Sequence, residues 1–173
     1  MVNTATDWLQ PLPPAARLIL CGDDSVQAAA ATAIGLPFPL AACRAASAGE
    51  HSVLWLGPDE RLLLAPAARL PELIATLSAA LSGHAHSLVD VSQRQIAFEM
   101  RGPQATQLLN SQCPLDLALA AFPVGMCTRT VYAKAEIVLW RTAAETFHVE
   151  VWRSFADYVL TLLHAVAREL STP

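Results

Sequence analysis

The chain has 173 residues, of which 54% are hydrophobic and 15% are charged, and its formal net charge at pH 7 is -4. Charged residues make up about 25% of an average soluble protein, so we expect part of the apolar excess to contact a partner. The 11 Lys and Arg residues are scattered singly, which excludes the basic patch that nucleic-acid binding requires. Proline or charged residues interrupt each apolar run before it reaches the ~20 residues of a membrane span.

Compartment and redox state follow from the first residues and the cysteines. The opening ten residues contain no cationic stretch followed by an apolar run, so we expect no signal peptide and a cytoplasmic location. Cys21, Cys43, Cys113 and Cys127 show no Cys-x-x-Cys spacing. This pattern favours reduced thiols in a core over disulfides or zinc ligands.

Hydrophobic periodicity and turn residues predict short strands and amphipathic helices in the first half. The predicted elements are an extended segment at 11–14, a strand at 17–21, a helix ending at 34, an extended segment at 35–40, a hairpin at 51–66 and a helix at 70–81. Asp23 or Asp24 is placed to cap the first helix, and Gly35 to end it. Gly57-Pro58-Asp59-Glu60 has the composition of a tight turn, which supports the hairpin.

The second half repeats this arrangement. Its predicted elements are strands at 87–91, 94–101, 128–132, 135–141 and 146–152, a helix that follows Gly102-Pro103 and includes Leu108 and Leu109, and a final helix capped by Ser154 with an apolar face of Phe155, Tyr158, Val159, Leu162, Leu163 and Val166. In both halves a tryptophan-bearing strand pair leads into a helix. The pattern predicts an α+β fold with halves at about 17–86 and 87–173, after a proline-containing arm at 1–16.

Asp90 and Ser92 form the most suggestive pair of polar residues. They flank Val91 and lie on the same side of an extended segment. Such a pair suits the orientation of a substrate amine or hydroxyl, and it equally suits backbone N–H groups at the end of a strand. The second interpretation is favoured, and no Gly-x-Ser-x-Gly motif surrounds Ser92 to mark a hydrolase nucleophile.

Other candidate motifs favour structural roles. His84 and His86 have spacing suited to a metal pair, but they lack a third ligand at a recognisable distance, which favours a polar turn. Cys113 has no cationic neighbour in sequence to activate its thiol, so we predict that it is buried or half-buried. Gly102 follows a single arginine and lacks the further glycines and the Lys-Ser or Lys-Thr of a phosphate loop.

Four segments resemble, in order and at compatible spacings, the gamma subunit of heterotetrameric sarcosine oxidase. They are WLGPDERLLLAP at 55–66, LVDVSQRQIAFEMRGPQATQLLNSQCPLDL at 88–117, Phe-Pro-x-Gly at 122–125 and RSFADYVLTLL at 153–163. The resemblance extends from Arg17 to the last helix. It implies the fold of the aminomethyltransferase folate-binding domain, with two strand-rich, ferredoxin-like halves whose helices pack on the sheets.

The resemblance also implies a function. Such a complex oxidises sarcosine to glycine with oxygen as acceptor, forms hydrogen peroxide and passes the one-carbon unit to tetrahydrofolate. Its alpha and beta subunits would be the partners and would carry FAD, FMN, NAD and tetrahydrofolate. This chain would then hold no cofactor, no metal and no catalytic residue.

The chain departs from aminomethyltransferases in one region. Those enzymes carry a Gly-Gly followed by acidic residues, whereas residues 132–136 here read Tyr-Ala-Lys-Ala-Glu. The candidates for a folate pocket are therefore Asp90, Ser92 and Glu136. A free-standing tetrahydrofolate-binding or one-carbon transfer protein remains the alternative, and self-association of the isolated chain stays open.

Overall fold

A computed structural model describes residues 7–170, which form two compact units. Unit 1 contains the described residues up to Pro13 and from Arg94 onwards, and unit 2 is Pro14–Gln93. Residues 1–6 of the predicted arm and residues 171–173 lie outside the described part. Among the described helices, none is long and apolar enough to cross a membrane.

Strands and helices follow one another in a regular order. The elements are β1 (Leu9–Pro11), β2 (Ala15–Cys21), α1 (Asp24–Ile34), β3 (Ala45–Ala48), β4 (His51–Gly57), β5 (Glu60–Pro66), α2 (Leu70–Ala80), β6 (Ser87–Asp90), β7 (Gln95–Arg101), α3 (Ala105–Asn110), β8 (Cys127–Tyr132), β9 (Ala135–Ala143), β10 (Thr146–Trp152) and α4 (Ala156–Leu170). Single 3-10 turns, Ala67–Arg69 and Arg153–Phe155, precede α2 and α4.

Unit 2 is an antiparallel sheet with strand order β3-β4-β5-β2-β6. One face of the sheet packs against α1 and α2 in a core to which Leu18, Leu63 and Leu77 contribute. As predicted, Asp23 caps α1 by accepting backbone N–H groups, and Gly35 ends the helix with a φ of 64°. Burial of this apolar face is the main stabilising contribution to the unit.

Unit 1 is an antiparallel sheet with strand order β1-β7-β10-β9-β8. Its core joins one face of the sheet to α3 and α4, with Phe98, Phe147 and Leu163 among the buried side chains. The edge strand β1 includes Pro11, which has no N–H to donate and is tolerated at a sheet edge. Of the predicted extended segment 11–14, Pro11 lies in β1 and the Leu12 N–H donates to the carbonyl of Ala97 at 2.9 Å, so its first two residues are paired with β7.

The two units share one topology, which supports the internal repeat predicted from the sequence. β2-α1-β3-β4-β5-α2 and β7-α3-β8-β9-β10-α4 run in the same order, and their strands occupy the same sheet positions. The Gly22 N–H donates to the carbonyl of Asp59 at 2.9 Å, and the Gly102 N–H donates to that of Glu145 at 2.9 Å. The strand that precedes each repeat in the sequence pairs with the other repeat: β1 pairs with β7, and β6 pairs with β2.

Three sequence expectations differ from the structure. The alanine-rich strand β3 was not predicted, because its residues lack the β-branched and aromatic side chains typical of strands. Ser154 lies inside the 3-10 turn, so the helical backbone begins before it and Ser154 is not the N-cap. Phe155 and Tyr158 were assigned to the apolar face of the last helix, but both are exposed; the buried residues of α4 are Ala156, Val159, Leu163 and Val166.

Candidate functional site

The polar pair Asp90 and Ser92 lies where β6 leaves β2. The Val91 N–H donates to the carbonyl of Arg17 at 2.8 Å, which extends the ladder by one bond beyond β6. The N–H of Arg17 points to the same side and donates to Ser92 Oγ at 2.9 Å. The serine hydroxyl thus accepts the last hydrogen bond in the pairing of β2 with β6.

Asp90 holds this hydroxyl in place. Its Oδ1 accepts the Ser92 N–H at 2.9 Å and the Ser92 O–H at 2.5 Å. Ser92 is buried at 8% exposure, whereas Asp90 is exposed. The hydroxyl proton and one oxygen lone pair of Ser92 are both engaged inside the fold, which is the strand-end role that the sequence favoured.

Glu136 lies in unit 1 and not with the other two candidates. It is an exposed residue of β9, and its Oε1 is 3.8 Å from Nε of Arg129 on β8. The pair joins neighbouring strands on a solvated face and is typical of a cross-strand ion pair. The structure brings Asp90 and Ser92 together within unit 2 and places Glu136 in a surface ion pair.

The remaining motifs also have local partners. Nδ1 of His84 lies 3.2 Å from Ser25 Oγ, and Nδ1 of His86 lies 2.9 Å from the carbonyl oxygen of His84, so the His-x-His motif forms a polar turn. Cys113 is buried, as predicted, with Sγ 3.8 Å from Thr130 Oγ1. In residues 7–170 no group of three or more His, Cys, Asp and Glu residues is arranged to hold a metal ion.

Unit 1 contains a buried arginine that was not predicted from the sequence. Arg141 on β9 is 1% exposed, and its guanidinium donates to the carbonyl of Leu117 and, at 3.3 Å, to Thr106 Oγ1. Its Cζ lies 4.5 Å from the ring centroid of Phe147 on β10. Desolvation lowers the pKa of Arg141 below its usual value, because burial disfavours the charged form.

The corresponding cross-strand pair of unit 2 has the two residue types exchanged. Arg61 on β5 pairs with Trp55 on β4, and the Cζ of Arg61 is 5.7 Å from the indole centroid. The guanidinium of Arg61 also donates to the carbonyls of Gly57 and Glu60. An arginine inside an apolar strand was the available signal for both buried cations, which brace loops and turns by binding their carbonyl groups.

Comparison with known proteins identifies the family. A model of the sarcosine oxidase, gamma subunit family matches residues 20–169. The chain belongs to this family. The sarcosine oxidase subunit gamma of Arthrobacter sp. is 35% identical over 147 residues, which are 84% of this chain and 71% of that protein. The subunit gamma of Corynebacterium sp. (strain P-1) is 35% identical over 148 residues, or 84% and 72% of the two chains.

Solved structures agree with the gamma-family assignment. A chain of the heterotetrameric sarcosine oxidase from Corynebacterium sp. U-96, solved in complex with pyrrole 2-carboxylate, gives a TM-score of 0.88 at 30% identity and covers 95% of this chain and 85% of that one. Glycine cleavage system aminomethyltransferase T from Bartonella henselae gives 0.67 at 13% identity, over 90% and 44% of the chains, and shows the shared fold alone. The predicted fold and family resemblance are confirmed.

Proposed function

We propose that this chain is a non-catalytic structural subunit of a sarcosine oxidase-type flavoenzyme, bound to larger alpha and beta subunits. The complex would oxidise sarcosine to glycine with oxygen as acceptor, form hydrogen peroxide and pass the one-carbon unit to tetrahydrofolate. Family membership supports this assignment, as does the likeness to a chain of a heterotetrameric sarcosine oxidase.

The hydrogen bonding of Ser92 carries the non-catalytic part of the proposal. Its hydroxyl donates to Asp90 and accepts the N–H of Arg17, a residue 75 positions away in sequence. A nucleophilic or substrate-orienting hydroxyl must instead present its oxygen or proton to the reacting molecule. The Asp-Val-Ser unit is therefore better suited to ending a sheet ladder than to chemistry.

The proposed cofactor distribution follows the same reasoning. We place FAD, FMN, NAD and tetrahydrofolate in the other subunits and none in this chain. A folate pocket needs convergent polar groups in an enclosed site. Asp90 is engaged with Ser92, and Glu136 is in an exposed pair with Arg129, so neither carboxylate has the setting that a pterin would require.

Measurements on the isolated chain and on the co-expressed complex test this proposal. We expect no flavin absorbance and no sarcosine-dependent hydrogen peroxide formation, while co-expression with alpha and beta subunits gives a complex that contains the chain. Calorimetric titration of the isolated chain with tetrahydrofolate should show no binding. Micromolar binding would favour the free-standing one-carbon protein, and sarcosine oxidation by the chain alone would overturn the non-catalytic role.

A further inference from the structure

We propose that Trp152, Phe155 and Tyr158, here called the aromatic stripe, form the surface by which unit 1 docks on a larger subunit of the complex. This inference rests on the proposed function and assigns it to particular residues. The three side chains are 37%, 42% and 41% exposed. Exposed aromatic residues in a group are typical of the centres of protein interfaces.

The three residues lie at a spacing of three where β10 passes into α4. Trp152 ends β10, Phe155 ends the 3-10 turn that follows, and Tyr158 lies in the first turn of α4. Residues three apart are eclipsed in a 3-10 helix and are neighbours on an α-helix. Phe155 and Tyr158 are therefore neighbours on the helix surface, and Trp152 is the extended N-cap residue of the turn that carries Phe155.

The internal repeat shows that the fold does not require aromatic residues at these positions. Strand registers set Leu63 opposite Leu18 in unit 2 and Val149 opposite Phe98 in unit 1. Trp152, Phe155 and Tyr158 lie three, six and nine residues after Val149. The residues at the same distances after Leu63 are Pro66, Arg69 and Glu72.

The same turn in unit 2 is charged. Nη1 of Arg69 lies 2.7 Å from Oε2 of Glu72, and all three corresponding residues of unit 2 are exposed. The same count aligns the buried Leu73 and Leu77 with the buried Val159 and Leu163, so the core-facing positions are alike in the two units. What differs is the solvent-facing side, where unit 1 presents rings and unit 2 presents an ion pair.

Arg94 indicates the chemistry of the partner. Its Cζ lies 5.0 Å from the Trp152 ring centroid, and its side chain is exposed at the border of the stripe. A carboxylate that approaches Trp152 can pair with this guanidinium. The surface fits an apolar groove edged by acidic residues on a larger subunit. A second copy of this chain would bring its own Arg94 to the same interface and place like charges together.

The test replaces two rings by the residues that unit 2 uses. Phe155→Arg combined with Tyr158→Glu introduces the i,i+3 ion pair that unit 2 tolerates in the same turn, and Trp152 is left in place. The control is Leu40→Glu, which changes an apolar residue of unit 2 that is 97% exposed. Each variant is co-expressed with the alpha and beta subunits, and affinity is measured by titration of the larger subunits with the purified chain.

We expect the double variant to keep the circular dichroism spectrum of the wild type and to bind at least about 30-fold more weakly, since two interface anchors are lost, whereas Leu40→Glu binds like the wild type. Equal binding by the double variant, with the wild type bound, would overturn the stripe and leave the proposed function intact. Failure of the wild type to bind would instead overturn the proposed function. A wild-type homodimer in sedimentation that the double variant abolishes would contradict the heteromeric assignment and favour a second copy.

Discussion

Replacing Ser92 by alanine tests whether this residue has a structural or a catalytic role. The substitution removes the acceptor of the Arg17 N–H, a buried hydrogen bond of 2.9 Å that closes the pairing of β2 with β6. It also removes the hydroxyl that donates to Asp90. We expect a loss of stability without loss of catalytic competence in the assembled complex.

The size of the expected stability loss follows from the exposure of the two groups that hydrogen-bond to Ser92, the Arg17 N–H and the Asp90 carboxylate. A buried N–H left without an acceptor costs about 1–3 kcal/mol. Asp90 is exposed, so water replaces the serine at its carboxylate and adds little to this cost. For a chain of this length a loss of about 2 kcal/mol corresponds to a decrease of roughly 4–8 °C in the melting temperature.

Thermal unfolding followed by circular dichroism measures this effect. Ser92→Thr, which keeps an Oγ, should recover most of the stability, and Ser87→Ala, at an exposed position of β6, should melt like the wild type. Sarcosine oxidation per assembled complex should not change in Ser92→Ala. A variant of unchanged melting temperature that abolishes activity or folate binding would refute the scaffold interpretation.

Three further substitutions test the internal structure, each by melting temperature. Arg141→Ala should destabilise by about 3 kcal/mol, because it opens a cavity beside a buried ring and removes donors to a loop; an unchanged melting temperature would contradict this. Gly22→Ala would place a Cβ 2.6 Å from the Cβ of Val26, so we expect a loss of about 1–3 kcal/mol, and wild-type stability would disprove the close contact. Asp23→Ala should lower stability modestly. The Ser25 hydroxyl bond lowers the pKa of the Asp23 carboxyl below its ordinary 3.8, so the difference from wild type should persist above that pH and vanish as pH falls through the lowered pKa; a difference independent of pH would count against this.

Local elements were predictable because their signals are local. Asp23 and Gly35 bracket α1 with a side-chain cap and a left-handed glycine, and the Gly57 turn fixes the hairpin of β4 and β5. The strand β3 was missed because alanine and serine carry little strand preference. Phe155 and Tyr158 were wrongly assigned to the buried face of the last helix, since spacing alone does not tell which side of a helix meets a core.

Long-range pairing was not accessible from the sequence. β1 pairs with β7 across the whole sequence of unit 2, and β6 pairs with β2 from the other end of unit 2. Hydrophobic periodicity and turn residues are local signals and do not specify such distant pairings. Likewise, the sequence offered Ser92 two roles, and only the position of the Arg17 N–H, 75 residues away, distinguishes them. The strand registers, and not the sequence, show that Arg69 and Glu72 occupy the positions of Phe155 and Tyr158.

The most direct test of the account is the composition of the native complex. The alpha and beta subunits should be co-expressed with and without this chain, and the mass, flavin content and sarcosine oxidation of each preparation should be measured. We predict that the chain is incorporated stoichiometrically and adds no flavin of its own, while all sarcosine-oxidising activity resides with the larger subunits. A chain that stays outside the complex, or that brings flavin or activity with it, would contradict the account.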